Sequence, residues 1–433
     1  MKSILAIDIG SYKTVAIIAN ANEKLSITGV GIAKSKGVKK GAITNIDEAA
    51  KSIKQAVNDA KRIAGIDINK AIVSLSSTYT KSIKSSGIVN IPGKEITLKE
   101  INRAIQTALY NATISNDFVV LQTIPYDFKV DDLNEIEDPL GMSGSRLEVS
   151  LHIIIAQKAG MENLKKTFNK AGIEIANIVN SAYASGLAVL NSDEKELGVC
   201  IIDIGATTSD LGIFINNSLR YVDFLGVGSH HITSDLSMAL HTTPNEAEKI
   251  KIEFEKLIKA EEDLIEISVI GNENEKQKAS LSTITQVISA RIEETFLLLN
   301  KKIQTSGLNE KIGAGIVLTG GFSKFYNVKE IASSFFDSHP VRIGKPKAIS
   351  GLMENLQDPE FSTVVGLLLY GNGEHSKYEK DSNQQFKSNL VFEFEEKTEV
   401  EEKQKKEELV NIVEEKKNLN PIKKFITWLN NLF

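Results

Sequence analysis

The sequence predicts an α/β protein with two related lobes, because one strand-and-turn pattern occurs in it twice. In residues 199–210 (VCIIDIGATTSD), an apolar run ends in Asp203, and a glycine two residues later opens a turn. Residues 4–14 (ILAIDIGSYKT) repeat this pattern around Asp8, 195 residues earlier. An apolar run of this length between turn residues is typical of a buried strand. Two matched strands so far apart in the chain indicate two related halves.

Each turn also has the chemistry of a phosphate site. A strand that delivers Asp-x-Gly into a tight turn supplies a carboxylate for a metal-bound water and backbone N–H groups for phosphate oxygens. Thr207 and Thr208 add hydroxyl groups to the second turn. A Gly-Val-Gly follows both turns, at residues 29–31 and 226–228. The sequence therefore predicts a nucleotide held between the two halves.

Composition and charge exclude several other classes. The chain of 433 residues, 42% hydrophobic and 25% charged, is typical of a soluble globular protein of several compact units. The net charge of −5 gives no reason to expect nucleic acid as a partner. The one cysteine, Cys200, lies in a predicted buried strand, which excludes disulfides and favours a reducing cytoplasm. No Gly-x4-Gly-Lys-Ser/Thr pattern occurs, which excludes P-loop chemistry.

The first lobe is predicted to contain the first phosphate turn and an inserted module. Its leading elements are strands at residues 4–9, 14–19 and 25–32, a helix at 46–64 that Gly65 stops, and a strand at 71–75. Residues 76–157 have a different sequence pattern and do not repeat the phosphate-turn motif. Their predicted elements are strands at 83–91, 118–128 and 147–156, and a helix at 98–111 begun by the capping-box pair Thr97 and Glu100. We expect this α/β module to serve contact rather than chemistry.

After the module, helices are predicted at 160–171 and 181–190 and a strand at 173–179, and the helix at 181–190 is rich in small residues that would pack tightly while linking the lobes. The predicted elements that follow are strands at 211–215, 221–225 and 316–319, and helices from near Ile232, at 245–259 with Asn245 as cap, at 281–303, at 328–336 and at 361–369. Residues 265–280 are hydrophilic, which favours an exposed strand and loop. The helix at 361–369 is expected to end the folded body.

Several residues keep two interpretations at this stage. Lys13 is either a phosphate ligand or an ordinary exposed lysine. Glu246 and Lys249 share one helix face, which also fits a solvated surface pair. The adjacent pair His230–His231 has no third metal ligand in view, so metal binding is disfavoured there. The paired glycines Gly320-Gly321 permit a flat ligand to approach the backbone, but paired glycines are common in turns.

The C-terminal part changes character twice. Residues 371–419 pass from Asn, Gln and Ser into a Glu/Lys run, which indicates a disordered linker. Residues 420–433 form an amphipathic pattern with Lys423 and Lys424 on its polar face. Its apolar arc contains Ile422, Phe425, Ile426, Trp428, Leu429, Leu432 and Phe433. The pattern favours an interfacial membrane helix over a helix that docks on the core, because docking rarely needs so long a tether.

Membrane contact, if any, is expected to be peripheral. No apolar run in the chain is long enough to span a bilayer. The N-terminal residues lead directly into the first predicted strand, so we expect no signal peptide.

The ordered set Asp8-x-Gly10, Asp203-x-Gly205 and Gly320-Gly321 resembles the actin-like ATPase superfamily, with its ribonuclease H-like fold. Within that superfamily the chain is most similar to the FtsA family, division proteins that tie FtsZ filaments to the membrane. The most specific stretches are DF-x-VD at 127–131 and I-x-DP-x-GMSG-x-RLE at 136–148, which resemble the inserted subdomain of that family. The segments ITSDL at 232–236 and EAEKIK at 246–251 are similar to further FtsA segments.

The resemblance implies a division of the chain into functional segments. These are the first-lobe core (1–75 and 158–195), the inserted FtsA-specific subdomain (76–157), the second-lobe core (196–230 and 306–345), a small second-lobe subdomain on the adenine side that also contacts FtsZ (231–305), a first-lobe closing helix (346–370), a disordered linker (371–419) and an amphipathic membrane-targeting helix (420–433).

The resemblance also implies ATP with Mg²⁺ in the cleft. The aspartates matching those that hold Mg²⁺ through water are Asp8 and Asp203. The residues matching the nucleotide-binding positions are Gly10, Ser11, Tyr12, Lys13, Gly205, Ala206, Thr207, Thr208, Gly228, Glu246, Lys249, Gly320 and Gly321. Asn180-Ser181 stands where many relatives carry an acidic residue beside the attacking water, so hydrolysis is expected to be slow.

The partners implied by the resemblance are the FtsZ C-terminal peptide, further copies of this chain in an actin-like filament, later division proteins at the inserted subdomain, and membrane lipid at the C-terminal helix. Arg291 aligns with a region implicated in FtsZ binding. The expected location is the cytoplasmic face of the cell (inner) membrane at the division septum. A PilM-like assembly scaffold and, less favoured, a small-molecule kinase of the same superfamily are the alternatives; a kinase would need an acidic base and no membrane tail.

Overall fold

A computed structural model describes residues 3–387, apart from 23, 94, 261–262, 271, 337–338 and 352–353. Met1–Phe386 forms one compact unit, and Lys387–Phe433 is a second. The predicted membrane helix at 420–433 and the predicted linker beyond residue 387 lie outside the described residues. Within the described part of the chain, no helix is long and apolar enough to cross a membrane.

Among the described residues, the strands fall into five sheets. In chain order they are β1 Ser3–Ile9, β2 Lys13–Asn20, β3 Ser26–Lys34, β4 Val38–Lys39, β5 Ala42–Ile43, β6 Lys70–Leu75, β7 Thr80–Asn90, β8 Phe118–Val130, β9 Leu133–Ile136, β10 Arg146–Gln157, β11 Glu174–Asn180, β12 Val199–Ile204, β13 Ser209–Ile215, β14 Ser218–Leu225, β15 Leu264–Val269, β16 Asn272–Ser280, β17 Gly315–Thr319, β18 Val341–Ile343 and β19 Ser350–Gly351.

The helices cover the sheets and connect the lobes. They are α1 Ile46–Ala64, α2 Leu98–Asn111, α3 Lys158–Ala171, α4 Ser181–Val189, α5 Ser192–Leu197, α6 Ser229–Ala239, α7 Pro244–Ala260, α8 Leu281–Thr305, α9 Val328–Ser333 and α10 Ser362–Gly371. Short 3-10 helices occur at Ser77–Tyr79, Asn309–Lys311, Gly321–Lys324, Glu354–Gln357 and Pro359–Phe361.

The two lobes repeat one strand arrangement, as the sequence predicts. In the first sheet, with order β11-β6-β1-β2-β3-β19, β1 pairs antiparallel with β2 and parallel with β6. In the second sheet, with order β14-β13-β12-β17-β18, β12 pairs antiparallel with β13 and parallel with β17. The registers also match, because Asp8 lies opposite Val15 and Asp203 lies opposite Asp210.

The glycines after the two turns have different roles. Gly31 on β3 packs so closely on α1 that a Cβ there would overlap the Ala56 carbonyl. Gly228 instead lies behind the second turn, where a Cβ would sit 2.6 Å from the Gly205 oxygen. The first Gly-Val-Gly therefore brings a helix onto the sheet, and only the second touches a turn.

The inserted module is a four-stranded sheet with one helix on its face. The strand order is β7-β10-β8-β9, and α2 packs on β7 and β10. The predicted capping box is confirmed: Thr97 accepts from the Lys99 amide, and the Glu100 carboxylate accepts from the Thr97 amide. This module has its own apolar core, which includes Ile101, Leu147 and Val149.

Two tightly packed helices lie at the centre of the molecule. Every residue of α4 is buried, as are the residues of α10 from Ser362 to Tyr370. Gly366 brings α10 against the backbone of α4, because a Cβ there would overlap the Ala184 carbonyl. The small residues predicted for this connection therefore serve close helix packing.

The folded body does not end at α10, which corrects the linker boundary placed at residue 371. Residues 372–386 pack back across the first lobe and the inserted module, with Glu379, Lys380 and Asp381 at most 2% exposed. The Lys380 backbone pairs with Thr123 of β8 in both directions, at 2.9 Å. Hydropathy missed this segment because polar contacts hold it: the Glu379 carboxylate accepts hydrogen bonds from Gln122, Tyr183 and Tyr370.

Two second-lobe boundaries also differ from the predictions. The helix predicted to start near Ile232 begins at Ser229. The helix predicted to start at Asn245 begins at Pro244, and Thr243 caps it by accepting from the Glu246 amide. Residues 264–280 form a hairpin of β15 and β16.

Candidate functional site

A cavity of about 570 Å³ lies between the two lobes, in the size range of small-molecule sites. Both predicted turns line it, together with α7 and the loop after β17. The side chains that share this cavity include Lys13, Asp203, Asp210, Lys251, Tyr326 and Glu360.

The two turns have the same backbone geometry and meet at their tips. The Gly10 amide donates to the Lys13 carbonyl at 3.0 Å, and the Gly205 amide donates to the Thr208 carbonyl at 2.9 Å. Across the cavity, the Thr207 hydroxyl donates to Ser11 Oγ at 2.7 Å. Backbone amides and hydroxyls of both lobes therefore converge on one place, which is the arrangement that binds phosphate oxygens.

The two predicted aspartates both face this cavity. Asp8 accepts a hydrogen bond from Ser74 Oγ at 2.7 Å. Burial raises the pKa of Asp8 to about 6, against the opposing effect of this hydrogen bond, and the nearby charge of Asp203 adds to the rise. Asp203 accepts from Ser185 at 2.6 Å and from Thr363 at 3.0 Å, and burial raises its pKa too. Because burial disfavours the charged form of both carboxylates, a cation bound between or beside them would be favourable.

Asp210 is a third carboxylate of the cavity, and sequence reasoning gave it no role. It is 7% exposed and accepts from the Ser77 amide at 2.7 Å. Burial raises its pKa to about 6, and the charge of Asp203 contributes to the rise. The available signal was a charged residue at the start of a strand that is otherwise apolar. Asp210 pairs with Asp203 in the antiparallel register of β12 and β13, so the two residues lie at the same end of the sheet.

Lys13 lines the cavity but already has a counter-ion. Its ammonium lies 2.7 Å from Glu360 and 3.8 Å from the centre of the Phe361 ring. Glu360 also pairs with Lys324 at 3.2 Å. Sequence reasoning missed Glu360, which is separated from Lys13 by 347 positions in the chain.

The helix α7 lines the cavity with a different face from the one predicted. Glu246 and Lys249 do not line it; they form a pair at 3.4 Å, with the Lys249 side chain 70% exposed. The residues of α7 that do line it are Glu248, Lys251, Ile252, Phe254 and Glu255. Successive residues of an α-helix are rotated by about 100°, so Glu248, two positions after Glu246, lies roughly 200° around the helix, on the opposite face.

The paired glycines lie at the cavity wall, as predicted. Gly320 has φ of 85°, and a Cβ there would collide with Asp203 Oδ1. At Gly321 a Cβ would meet only Glu360 Cβ, at 3.9 Å. The first glycine therefore serves the approach of the loop to β12, and the second leaves the wall open. Phe322 and Phe325 stack behind this loop at 5.5 Å.

The remaining predicted residues are distributed as follows. Tyr12 lines the cavity and is 60% exposed, and Ala206 lines it at the second turn. Gly228 does not line the cavity but supports the second turn, and its amide donates to His231 Nδ1 at 3.2 Å. Among the described residues, no group of three His, Cys, Asp or Glu side chains is placed to hold a metal ion. A cation here would need water and ligand oxygens as further ligands.

Arg291 lies outside the cavity lining, on α8. Its guanidinium pairs with Asp235 of α6 at 2.5 Å and with Glu294. In the described structure it therefore ties α8 to α6. The predicted membrane residues, Ile422 to Phe433, lie outside the described residues.

Comparison with known proteins identifies relatives of this chain. The family description "Cell division protein FtsA" matches residues 200–366, and "SHS2 domain inserted in FTSA" matches residues 77–155. The cell division protein FtsA of Helicobacter pylori is 39% identical over 413 residues, covering 88% of this chain and 84% of its own. That of Pseudomonas aeruginosa is 36% identical, covering 86% and 89%.

Solved structures show the same fold at low identity. A PilM-PilN type IV pilus biogenesis complex aligns with a TM-score of 0.62 at 16% identity, covering 85% of this chain and 98% of that one. MreB5 of Spiroplasma citri bound to ADP aligns with a TM-score of 0.50 at 14% identity, covering 86% and 96%. These likenesses confirm the predicted actin-like fold of two lobes.

Proposed function

We propose a function from one premise: this chain belongs to the FtsA family of cell division proteins. Its role is therefore in cell division. We infer that it binds ATP between its lobes, assembles with further copies of itself, and anchors FtsZ filaments to the cytoplasmic membrane in the Z ring at the division septum. In this proposal later division proteins are recruited through the inserted module.

The observation that carries ATP binding is the convergence of both turns on one cavity. The residues fit the ligand: the backbones of the turns at 10–13 and 205–208 line the cavity, Ser11 and Thr207 carry hydroxyls there, and Lys13 offers a positive charge for the phosphates. The adenosine would be held by the loop at Gly320–Gly321, with its open wall, and by the cavity face of α7. The shared fold with an ADP-bound MreB supports the same proposal.

Mg²⁺ fits the acidic side of the cavity. Asp8 and Asp203 would hold its water ligands, and Asp210 lies on the same side. When bound, Mg²⁺ neutralises phosphate charge. This chain's own contribution is to orient the carboxylates, which Ser74, Ser185 and Ser77 do through hydrogen bonds.

We propose that hydrolysis is slow and that ATP acts mainly as a structural ligand. Asn180, at the position where relatives carry an acid, is buried and donates to Ser77 Oγ at 3.1 Å, so it offers no base. Asp210 is the carboxylate left to activate a water. The Ser77 amide and Ser76 Oγ both donate to its Oδ1, while burial raises its pKa to about 6, so the proposal of slow hydrolysis rests on Asn180 rather than on Asp210. Bound ATP would stabilise the closed lobes by mass action.

Membrane anchoring rests on residues 420–433, where the apolar arc and the lysines are typical of an interfacial helix. FtsZ binding is proposed for the small second-lobe subdomain, with Arg291 at the contact. Because Arg291 also pairs with Asp235, a variant at this position must be checked for folding before a loss of FtsZ binding is assigned to contact. The likeness to PilM is one of fold and adds no separate function.

The test is co-sedimentation of the full chain, with ATP and Mg²⁺, on vesicles of phosphatidylglycerol and phosphatidylethanolamine, with and without FtsZ. Chains truncated after Leu419 provide the deletion. The double variant Ile426→Asp/Trp428→Asp places two charges on the apolar arc, and Thr427→Asp/Asn430→Asp places the same two charges on the polar face.

We expect the full chain and the polar-face variant to pellet with vesicles and to carry FtsZ with them. The truncated chain and the apolar-arc variant should stay in the supernatant. Equal pelleting of all four chains would overturn the membrane anchor. Pelleting of the full chain without FtsZ would overturn the adaptor role.

A further inference from the structure

We propose that Glu360 competes with nucleotide phosphate for Lys13, and so limits the affinity of the cleft for ATP relative to nucleosides. The inference rests on the proposed ATP binding and deepens it. It starts from one juxtaposition: the lysine of the first phosphate turn and an acidic residue from the loop before α10 pair at 2.7 Å inside the same cavity.

The ion pair occupies the charge that a phosphate would use. Lys13 has 18% of its side chain exposed and Glu360 has 30%, so water screens the pair only in part. The Phe361 ring covers the ammonium from another side, at 3.8 Å. A phosphate that binds Lys13 must therefore displace the carboxylate or share the lysine with it.

Glu360 has a second cation that keeps its carboxylate ionised and in place. Lys324 lies 3.2 Å from it on the loop after β17. Burial alone would raise the pKa of Glu360, but hydrogen bonds from Lys13 and Lys324 hold it below its ordinary value. The carboxylate thus stays negative at neutral pH and repels phosphates that enter the cavity.

The loop that carries Glu360 is fixed to the second lobe. The Gly320 amide donates to the Pro359 carbonyl at 3.2 Å, and Thr319 Oγ1 lies 2.6 Å from Ser362 Oγ. Lys13, in contrast, belongs to β2 of the first lobe. Glu360 also lies just before α10, which packs on α4 and β1 of the first lobe, so its loop touches both lobes, and capture of Lys13 by a phosphate exchanges a link to this loop for a link to ligand.

Charge repulsion grows with the number of phosphates, so the effect of Glu360 on affinity should differ among ATP, ADP and adenosine. Removal of the Glu360 charge should favour ATP most, ADP less and adenosine not at all. We expect Glu360→Gln to tighten ATP binding by about tenfold, a size typical of relieving one partly screened like charge. A purely structural ion pair would predict the opposite, a loss of stability with no gain for ATP.

The experiment is isothermal titration of the full chain with ATP, ADP and adenosine at constant Mg²⁺. Asp358→Asn is the matched control: it removes a neighbouring carboxylate that pairs with Lys324 at 3.3 Å and does not line the cavity. It should change ATP affinity by less than about threefold, as a screened surface charge does. In a Lys13→Gln background, the gain from Glu360→Gln should be smaller than in the wild type, because repulsion of the phosphates remains but competition for Lys13 does not.

The outcomes separate this inference from the proposed function. Wild-type binding of ATP with no change in Glu360→Gln, or an equal gain for ATP and adenosine, would overturn the role of Glu360 and leave ATP binding intact. No wild-type binding of ATP would overturn both. If Glu360→Gln does not fold, Glu360→Asp withdraws the carboxylate by one methylene and should tighten ATP binding by a smaller factor. No gain in that variant would equally overturn the inference.

Discussion

The turn between β1 and β2 and the turn between β12 and β13 have the same backbone geometry but differ in their charged residues. Both close with a glycine amide donating to a carbonyl three residues later. From Asp8 and Asp203 to Val15 and Asp210, the matched positions are 195 residues apart. Yet Lys13 matches Thr208, and Val15 matches Asp210. The first turn thus supplies a cation, and the strand after the second turn supplies an additional carboxylate.

The difference shows what a repeated pattern can and cannot specify. The repeat specifies the turn, because strand pairing and glycine fix the backbone. The chemistry comes from residues that are not repeated and from partners elsewhere in the chain. In the described part of the chain, one side-chain hydroxyl, that of Ser74, donates to Asp8, whereas Ser185 and Thr363 both donate to Asp203.

The largest effect that the comparison predicts is on ATP affinity. Lys13→Ala should weaken ATP binding about 100-fold, because a charge-assisted phosphate contact is lost. Thr208→Ala, at the matched position, should weaken it by less than about fivefold, because the backbone amides of the turn remain. Equilibrium titration with ATP and Mg²⁺ measures both. Equal losses in the two variants would show that the turns are chemically equivalent, against the account.

A second effect concerns pH and can be tested at Asp210, next to the second turn. Burial gives Asp210 a pKa of about 6 in the folded chain, against 3.8 for an ordinary aspartate. Between these values the folded chain holds the proton and the unfolded chain does not, so this group adds stability as the pH falls from 7 to 5. Asp210→Asn should therefore exceed wild type in unfolding free energy at pH 7.5, by on the order of 1 kcal/mol, and lose this advantage toward pH 5.

Denaturant unfolding in buffers without nucleotide or divalent cation measures this difference. Asp193→Asn, which removes an exposed carboxylate on α5, is the control and should give a difference from wild type that does not vary in this way. If the difference in unfolding free energy between Asp210→Asn and wild type increased toward pH 5, its sign would be opposite to that expected for a buried carboxylate.

A third effect comes from the turn glycines, where the expected difference between the two turns is small. A Cβ at Gly10 would lie 2.9 Å from the Lys13 carbonyl oxygen, whereas at Gly205 the matching distance is 3.3 Å. Gly10→Ala should therefore destabilise the chain by about 1–2 kcal/mol, and Gly205→Ala by less than about 1 kcal/mol. Unfolding curves for the two variants test the order, and a larger loss at Gly205 would contradict it.

Local patterns predicted the parts of the fold that depend on nearby residues. Both turns, the Thr97–Glu100 capping box and the glycine pair at 320–321 were found from spacing alone, and the structure places them as expected. The choice of Glu246 and Lys249 came from a motif resemblance, which does not specify the face of α7 that turns toward the cavity; Glu248 and Lys251 line it instead.

Contacts between distant residues could not be read from the sequence. Glu360 belongs to the cavity only because the loop before α10 folds against the loop at Gly320. The segment 372–386 reads as a polar linker, yet Tyr183 and Tyr370 bury Glu379 by donating to its carboxylate. Hydropathy detects apolar burial and cannot detect a polar segment whose partners lie about 200 positions earlier.

The central claim is that one nucleotide is bound by both turns at once. Hydrogen–deuterium exchange with and without ATP and Mg²⁺ tests it directly, by following peptides that cover residues 4–15 and 199–210. The account predicts slower exchange in both peptides, with α2 (Leu98–Asn111) in the inserted module unchanged as internal control. Slower exchange in only one of the two peptides, or in neither, would contradict it.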